Sequence, residues 1–346
     1  MEYKIIEFKP KEVPDEFWDN YFEFIHANHR EMNPDDPFPN REGLIQRQKT
    51  DIPDFFVKRL LAITPEDKII GWAGFGYQEE TASDYEENKH IAQLNIVVQK
   101  DYRRKGIGTE FLKLIAKEIH EAGRSTIECG SDHDAGRAFL DSYGAQMTIE
   151  GAENRLEMAD VDWDMMQEWI DEGPKRAPEV SIETFLDECP EEILDEYVKM
   201  YTEALNMQPL GDMESRANID GVSRRKYEER TKKMGQINYV MISREKDGRI
   251  SGMTEIYYDP REGYQMYQGL TGVRPEFRGR GLGKWLKALM IVYIKDNYPE
   301  VERIITGNAE SNEAMLSINN RMGFKKHKGG EGYKFKTGEL VKKLNL

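Results

Sequence analysis

Two stretches of the chain, QKDYRRKGIGTEFLK (99–113) and RPEFRGRGLGKWLKA (274–288), carry the same parts in the same order 175 residues apart. Each has an aromatic residue, a basic cluster and then Gly-x-Gly opening an apolar run. Further landmarks recur at nearly the same offset. Gly144 in FLDSYGAQ and Gly323 in INNRMGFK stand 179 residues apart, and the strand-like TIECG (126–130) and RIITG (303–307) are separated by 177. Solenoid repeats have periods of roughly 20–50 residues, so a period of half the chain means two whole domains of one kind. At 346 residues, each copy is long enough to bury its own core.

Periodicity and chain breakers order the elements alike in the two copies. In the first, YKIIEF reads as a strand, EFWDNYFEFIHANHR and EGLIQRQKT as helices, and VKRLLAIT, KIIGWAGFGYQ and HIAQLNIVV as strands. The Gly-x-Gly helix then carries Ile107, Phe111, Leu114, Ile115 and Ile119 on one face, followed by the strand STIEC, a short helix through Ala138–Ser142 and closing strands to Met158. In the second, PEEILDEYVKMYTEAL and VSRRKYEERTKKM are helical, and NYVMIS, GRISGMTEIYY and YQMYQGLTGV are strands. A helix with Leu282, Trp285, Leu286, Leu289, Met290 and Tyr293, the strand RIITG, a helix from Ser311 to Arg321 and a final strand pair complete it. The stretch 163–180 begins helical and turns rich in Gly and Pro, which sets the expected domains at 1–160 and 179–346, with a linker at 161–178.

Apolar residues make up 38% of the chain and charged ones 33%, the composition of a globular protein. No run reaches the roughly 18 apolar residues of a membrane span. The start MEYKIIEFKPKEV lacks the layout of a signal peptide, so a cytoplasmic protein without a membrane partner is expected. A net charge of −15 argues against nucleic acid, whose binding draws on clustered Lys and Arg, and favours encounter with cationic amines or basic peptides. Cys129 and Cys189 are too few for a disulfide framework, and His120, His133 and His327 have no metal-ligand spacing, so no metal is expected.

In both copies the Gly-x-Gly follows a β-branched strand and begins an amphipathic helix. Unpaired N–H groups converge at such a helix start, the dipole is positive there, and the lack of side chains lets a phosphate reach the backbone. Arg103, Arg104 and Lys105, or Arg278 and Arg280, add formal charge, which suits a pyrophosphate. Two common nucleotide motifs fail. A Rossmann fingerprint needs a third Gly where Phe111 and Leu286 stand, and a Walker loop needs Ser or Thr where Trp285 follows Lys284.

On these motifs the chain resembles the GNAT superfamily of acetyl-CoA-dependent N-acetyltransferases, and within it the tandem members of mycothiol synthase-like two-domain architecture. The family pattern Arg/Gln-x-x-Gly-x-Gly/Ala is met by Arg103-Arg104-Lys105-Gly106-Ile107-Gly108 and by Arg278-Gly279-Arg280-Gly281-Leu282-Gly283. The later motif, an Asn and then a helix ending in Gly-Phe, is met by Asn312 through Gly323-Phe324. The resemblance implies an α/β (α+β) fold: two GNAT-like domains, each a mixed, mostly antiparallel sheet with helices on both faces and a splayed central strand pair. It also implies that coenzyme A lays its pyrophosphate on Arg103–Thr109 or Arg278–Lys284 and its pantetheine along the strand ending at Val98 or Val273. A backbone N–H near Val273 would then bond the thioester carbonyl as an amine attacks directly.

The two copies depart from the family differently. A Tyr that donates to the leaving thiolate is implied seven residues after the Asn; that position holds Asn319 in the second copy, an amide that is no acid, with Tyr333 as a substitute unsupported by spacing. In the first copy His133 and Leu140 take the two positions, and Gly-Phe has become Gly144-Ala145, so that half reads as structural or as binding cofactor without turnover. Glu255 is the first choice as general base, ahead of Glu310, with Glu128 in a comparable place in the first half. The acceptor pocket is expected within 190–235, where Asp212, Glu214 and Asp220 would draw a cationic amine; Tyr257, Tyr258, Tyr264 and Tyr267 cluster near the cleft. The expected function is acetyl transfer to a primary amine of a small molecule or peptide, by a monomer or homodimer. Its rivals are a CoA-binding scaffold without turnover and an acyltransferase of another acyl group or of aminoglycoside-resistance type.

Overall fold

A computed structural model describes residues 1–346. In chain order the elements are β1 (Lys4–Glu7), α1 (Phe17–Met32), α2 (Arg41–Lys49), β2 (Phe55–Ile63), β3 (Ile69–Gln78), α3 (Tyr85–Asn88), β4 (Ile91–Val98), α4 (Ile107–Glu121), β5 (Thr126–Ser131) and α5 (Asp134–Ser142). They continue with β6 (Gln146–Glu157), α6 (Trp163–Arg176), β7 (Ser181–Leu186), α7 (Leu194–Asn206), α8 (Gly221–Lys233), β8 (Ile237–Arg244), β9 (Ile250–Tyr258) and β10 (Gln265–Val273). The last are α9 (Leu282–Asn297), β11 (Arg303–Ala309), α10 (Glu313–Met322), β12 (Lys325–Lys336) and α11 (Thr337–Lys343). No helix is long and apolar enough to cross a membrane.

Two compact units result, and each borrows chain from the other half. Unit 1 is Met1–Ile149 with Gly211–Ser215 and Glu331–Leu346; unit 2 is Glu150–Leu210 with Arg216–Gly330. The expected split at 161–178 thus differs from what is found. That stretch carries α6, whose Met166 and Trp169 are buried in the core of unit 2. Gly173, read from sequence as a breaker, is a packing residue: a Cβ there would lie 2.2 Å from the Trp285 ring.

In unit 1 the strand order is β1-β2-β3-β4-β5-β12, antiparallel throughout except for the parallel pair β4–β5. Strand alternation sorts the apolar residues to two faces. Leu60, Ala62 and Ile70 pack under Phe111, Leu112 and Ile115 of α4, while Leu61, Ile63 and Ile69 meet Trp18, Tyr21 and Phe22 of α1. The end of β12 and α11 belong to this core through Tyr333, Phe335, Leu340 and Leu344. The sequence-based expectation here was a strand pair; one long strand and a short helix close the chain instead.

In unit 2 the order is β6-β11-β10-β9-β8-β7, again with one parallel pair, β10–β11. Met241, Ile256, Met266 and Ile304 pack under α6 and α9, and Val240, Ile242 and Met253 face α7 on the other side. The strand supplied by the first half, β6, contributes the fully buried Leu156. Each parallel pair is short. β4 meets β5 only over Ile91–Gln93 with Thr126–Glu128, and β10 meets β11 only over Gln265–Tyr267 with Arg303–Ile305. Beyond those pairs the strands diverge, and each unit holds a V at the middle of its sheet.

Candidate cofactor and active site

The two Gly-rich loops leave the outer ends of β4 and β10 with the same backbone. Arg104 and Gly106 in unit 1, and Gly279 and Gly281 in unit 2, are left-handed, with φ of 62°, 89°, 79° and 82°. Left-handed residues two apart turn successive N–H groups inward and make a nest for an anion at the start of α4 and of α9. The first Arg of each motif is a brace: Arg103 Nε donates to the Val98 carbonyl at 3.0 Å and Arg278 Nε to that of Val273 at 3.2 Å. Gly283 leaves room for a ligand or a methyl, since a Cβ there would have Ile318 and Val273 as its nearest neighbours, at 3.6 and 3.7 Å. Leu282 is buried beneath the loop.

Charge separates the two loops. Around the second, Arg176 at the end of α6 donates to the Gly279 carbonyl at 2.9 Å, and Lys284 and Arg321 approach the Trp169 ring at 5.4 and 4.8 Å. Burial, then Arg321 and Arg176, hold the Lys284 ammonium below its ordinary pKa. Like charges therefore cluster at this loop although the protein as a whole carries −15. Arg280 pairs with Glu245 at 2.8 Å. Around the first loop, Arg103 makes a two-pronged pair with Glu31 of α1, both contacts 2.7 Å, Lys105 donates to the Asp101 carbonyl at 2.8 Å, and Arg104 is exposed. Glu31 also lies 3.3 Å from Nε2 of His133, at the start of α5. One carboxylate therefore ties the loop after β4 to the helix after β5, across the opening of the V.

Further residues close the first site. Phe139 packs against Gly108 beside the buried Ile107, where an added Cβ would lie 3.3 Å from the ring, and Thr109 shares a hydrogen bond with Tyr143 at 2.8 Å. At the vertex, Glu128 is buried and accepts from the Glu214 amide at 2.7 Å. The Glu214 carboxylate accepts from Lys336, Lys334 and Thr126, at 2.7, 3.1 and 3.1 Å. Lys336 above all holds it down to a pKa of about 2. Asp212 and Glu214 thus belong to unit 1, and Asp220 caps α8 by accepting from the Ser223 amide at 2.7 Å. The expectation that they draw a cationic acceptor gives way to this: Glu214 and Asp220 are spent on the protein's own donors.

The second V is built differently. Between Gln268 and Thr271 the β10 register slips by one residue against β9, a bulge that sets Gly269 and Leu270 opposite Glu255. β4 runs straight at the corresponding place. The bulge borders a cleft of about 40 Å³ lined by Gln268, Lys287, Thr306, Asn308, Asn312 and Asn319, among others. Asn312 caps α10, accepting from the Met315 amide at 3.3 Å, and Asn319 donates to Asn308 Oδ1 at 2.7 Å. Glu310 pairs with Lys326 and is not among the cleft residues.

Glu255 does not line this cleft either; it stands behind the bulge, 2% exposed. Its carboxylate accepts from the Tyr201 hydroxyl at 3.0 Å, the Leu270 amide at 3.2 Å and the Tyr257 hydroxyl at 3.2 Å. Burial raises its pKa, with Arg224 opposing. Both tyrosines are partly exposed, with their hydroxyls turned inward to the carboxylate. Of the tyrosines expected near the cleft, Tyr258 instead donates to Glu300 at 2.6 Å and Tyr267 is exposed. Tyr333 lies in unit 1 and donates to Glu331, so it supplies no acid to the second V. Arg176, Arg321, Lys287, Tyr201 and the bulge escaped the sequence reading. Only Lys287, a cation on the apolar stripe of α9, left a local signal.

The profile of the Acetyltransferase (GNAT) family matches residues 14–145 and 192–324. Among solved structures, a tandem GNAT protein from the clavulanic acid biosynthesis pathway is 18% identical with a TM-score of 0.78, covering 97% of this chain and 99% of that one. A GCN5-related N-acetyltransferase from Sphaerobacter thermophilus is 14% identical with a TM-score of 0.65, covering 97% and 96%. Saccharomyces cerevisiae N-myristoyltransferase with bound myristoyl-CoA is 10% identical with a TM-score of 0.59, covering 96% and 78%. At these identities the likeness is one of fold. No curated protein matches the chain.

Proposed function

The chain belongs to the Acetyltransferase (GNAT) family, and from that premise we propose that it is an N-acetyltransferase whose working site is the V of unit 2. The fold is that of an acyltransferase, and the family takes acyl-CoA donors. The observation that carries the choice of unit is the contrast between the two Vs: a cleft beside a bulge in β10, against a carboxylate bridge from Arg103 to His133 across the opening of the other.

In this reading the pyrophosphate of acetyl-CoA rests on the amides of Arg278–Lys284, within reach of Arg176, Lys284 and Arg321. Pantetheine follows β10 toward Val273, the bulge offers the thioester carbonyl a backbone donor, and Asn312 and Asn319 line the opposite wall. A neutral primary amine of a small molecule or peptide attacks the carbonyl carbon directly. Its proton passes through the hydroxyl of Tyr201 or Tyr257 to Glu255, whose raised pKa suits a base working near neutrality. The loop 103–109 of unit 1 is a nest of the same design whose Arg103 is paired with Glu31, and its role is structural.

Release of free thiol from acetyl-CoA in the presence of amines, amino acids, polyamines, aminoglycosides and short peptides tests the reading. Turnover with one acceptor class, lost when Gly281 carries a bulky acidic side chain, supports it. Bound coenzyme A with no thiol release from any acceptor overturns the catalytic reading.

A further inference from the structure

Lys287 is a cation where the fold has no need of one. It projects from α9 beneath the vertex of the second V, is 1% exposed, and donates to a single acceptor, Gln268 Oε1, at 2.6 Å. The Gln268 amide is itself held by Thr254 and Thr271, at 3.0 and 3.2 Å, so its carbonyl oxygen is fixed toward the lysine. The polar groups that share the cleft with Lys287 or hold Gln268 come from four other elements: Thr254 from β9, Gln268 and Thr271 from β10, Thr306 from β11 and Asn319 from α10. None of these is a carboxylate, thiol or imidazole. The Phe324 ring, centred 5.2 Å away, completes the surround, and Lys284 on the same helix is drawn off to Trp169. Burial alone lowers the pKa of Lys287, to about 7.

The duplicated fold supplies its own comparison. Superposing the strand registers puts Leu94 at the place of Gln268, since the one faces Phe75 and the other Ile256. By the same registers and the motif spacing, Leu112, Ala73, Cys129 and Leu140 take the places of Lys287, Thr254, Thr306 and Asn319. Leu112, Leu94, Ala73 and Leu140 form part of an ordinary apolar core in unit 1. The same fold therefore closes this spot with hydrocarbon when it has no cleft to serve. In unit 2 it keeps a buried amine beside the cleft, with two of its three protons lacking a protein acceptor, and the Asn319 Oδ1 atom also lacks a partner. A polar cluster so incompletely satisfied costs stability unless a ligand completes it.

We propose that Lys287 is the proton donor to the coenzyme A thiolate that leaves this cleft, the part that Asn319 cannot play. The proposal rests on the reading of unit 2 as the acyl-CoA site. The amine nitrogen forms its bond to the thioester carbonyl carbon, the carbon–sulfur bond breaks with its electron pair on sulfur, and a proton moves from the Lys287 ammonium to that sulfur. The acceptor's proton leaves through Glu255, and solvent protonates Lys287 again.

The test uses the full chain with acetyl-CoA and the acceptor that releases most thiol. Initial rates of thiol release are followed from about pH 6 to pH 10 for the parent protein and for Lys287→Met. An acid that loses its proton near pH 7 gives the parent an alkaline limb that sets in there. Lys287→Met lowers kcat about 100-fold, leaves the KM for acetyl-CoA within a small factor, and removes that limb. If Lys287→Met does not fold, Lys287→Gln, which keeps a donor toward Gln268 but carries no charge, takes its place. An unchanged kcat with an unchanged alkaline limb overturns the proposal and leaves the acyl-CoA site standing. Failure of the parent to bind coenzyme A or to release thiol with any acceptor overturns both.

Discussion

Glu255 and Lys287 stand on opposite sides of β10, and neither has a counterpart in unit 1, where the same registers hold Gly74 and Leu112. Glu255→Gln keeps the size of the side chain and removes the base. We expect kcat to fall about 100-fold with coenzyme A affinity retained, checked by thiol-release kinetics alongside calorimetric binding. Lys287 makes a second, thermodynamic prediction. Its pKa is about 7 when folded, against an ordinary value of 10.5. Between those values the unfolded chain binds a proton the native state does not, so the stability present above the upper value is lost as pH falls to the lower one. Lys287→Met lacks this loss, and urea denaturation from pH 9 to pH 7 will show a flatter dependence for the variant, by on the order of a few kcal/mol. Glu255 was legible as a polar residue on a strand beside the cofactor strand. That it stands behind a bulge, bonded to two hydroxyls, was not, because Tyr201 reaches it from α7, remote in the chain.

The loops were the most legible elements, since the left-handed positions at Gly279 and Gly281 announce themselves as glycines. Gly281→Glu brings a carboxylate to the anion nest and strains a residue at φ 82°, and we expect coenzyme A binding to unit 2 to be abolished in titration calorimetry. Gly283, with its open surroundings, marks the contrast between a position that needs left-handed backbone and one that needs only a small side chain. The bulge in β10 was invisible, since every landmark of the repeat lies downstream of it. Helix α11 gave less warning still: seven residues long, it packs against α4 with Leu340 2% exposed. Leu340→Ala should lower the stability of the protein by about 2–5 kcal/mol, toward the lower end for a terminal helix free to adjust. Thermal denaturation with added coenzyme A will distinguish lost stability from lost binding.

At the level of the whole chain, a cut at the expected linker does not yield two domains. The fragment 1–178 would lack the end of β12 and α11, which bury Tyr333, Phe335, Leu340 and Leu344 in unit 1. The fragment 179–346 would lack β6 and α6, with Leu156, Met166 and Trp169 of unit 2. We expect each fragment alone to be unfolded or aggregated by circular dichroism and gel filtration, and the two expressed together to recover the folded protein. Two well-behaved separate domains would contradict this. The duplication, the α/β class and both Gly-rich loops were determined by the sequence itself, because hydrophobic periodicity and glycine breakers act over a few residues, and the splayed strand pair was implied by the family resemblance. Which half supplies the last strand of each sheet, how the cations of each nest are paired, and which lysine lies under the cleft were decided by the tertiary structure. Those outcomes depend on strand registers and burial that bring together residues far apart in the chain, where no local pattern records the partner.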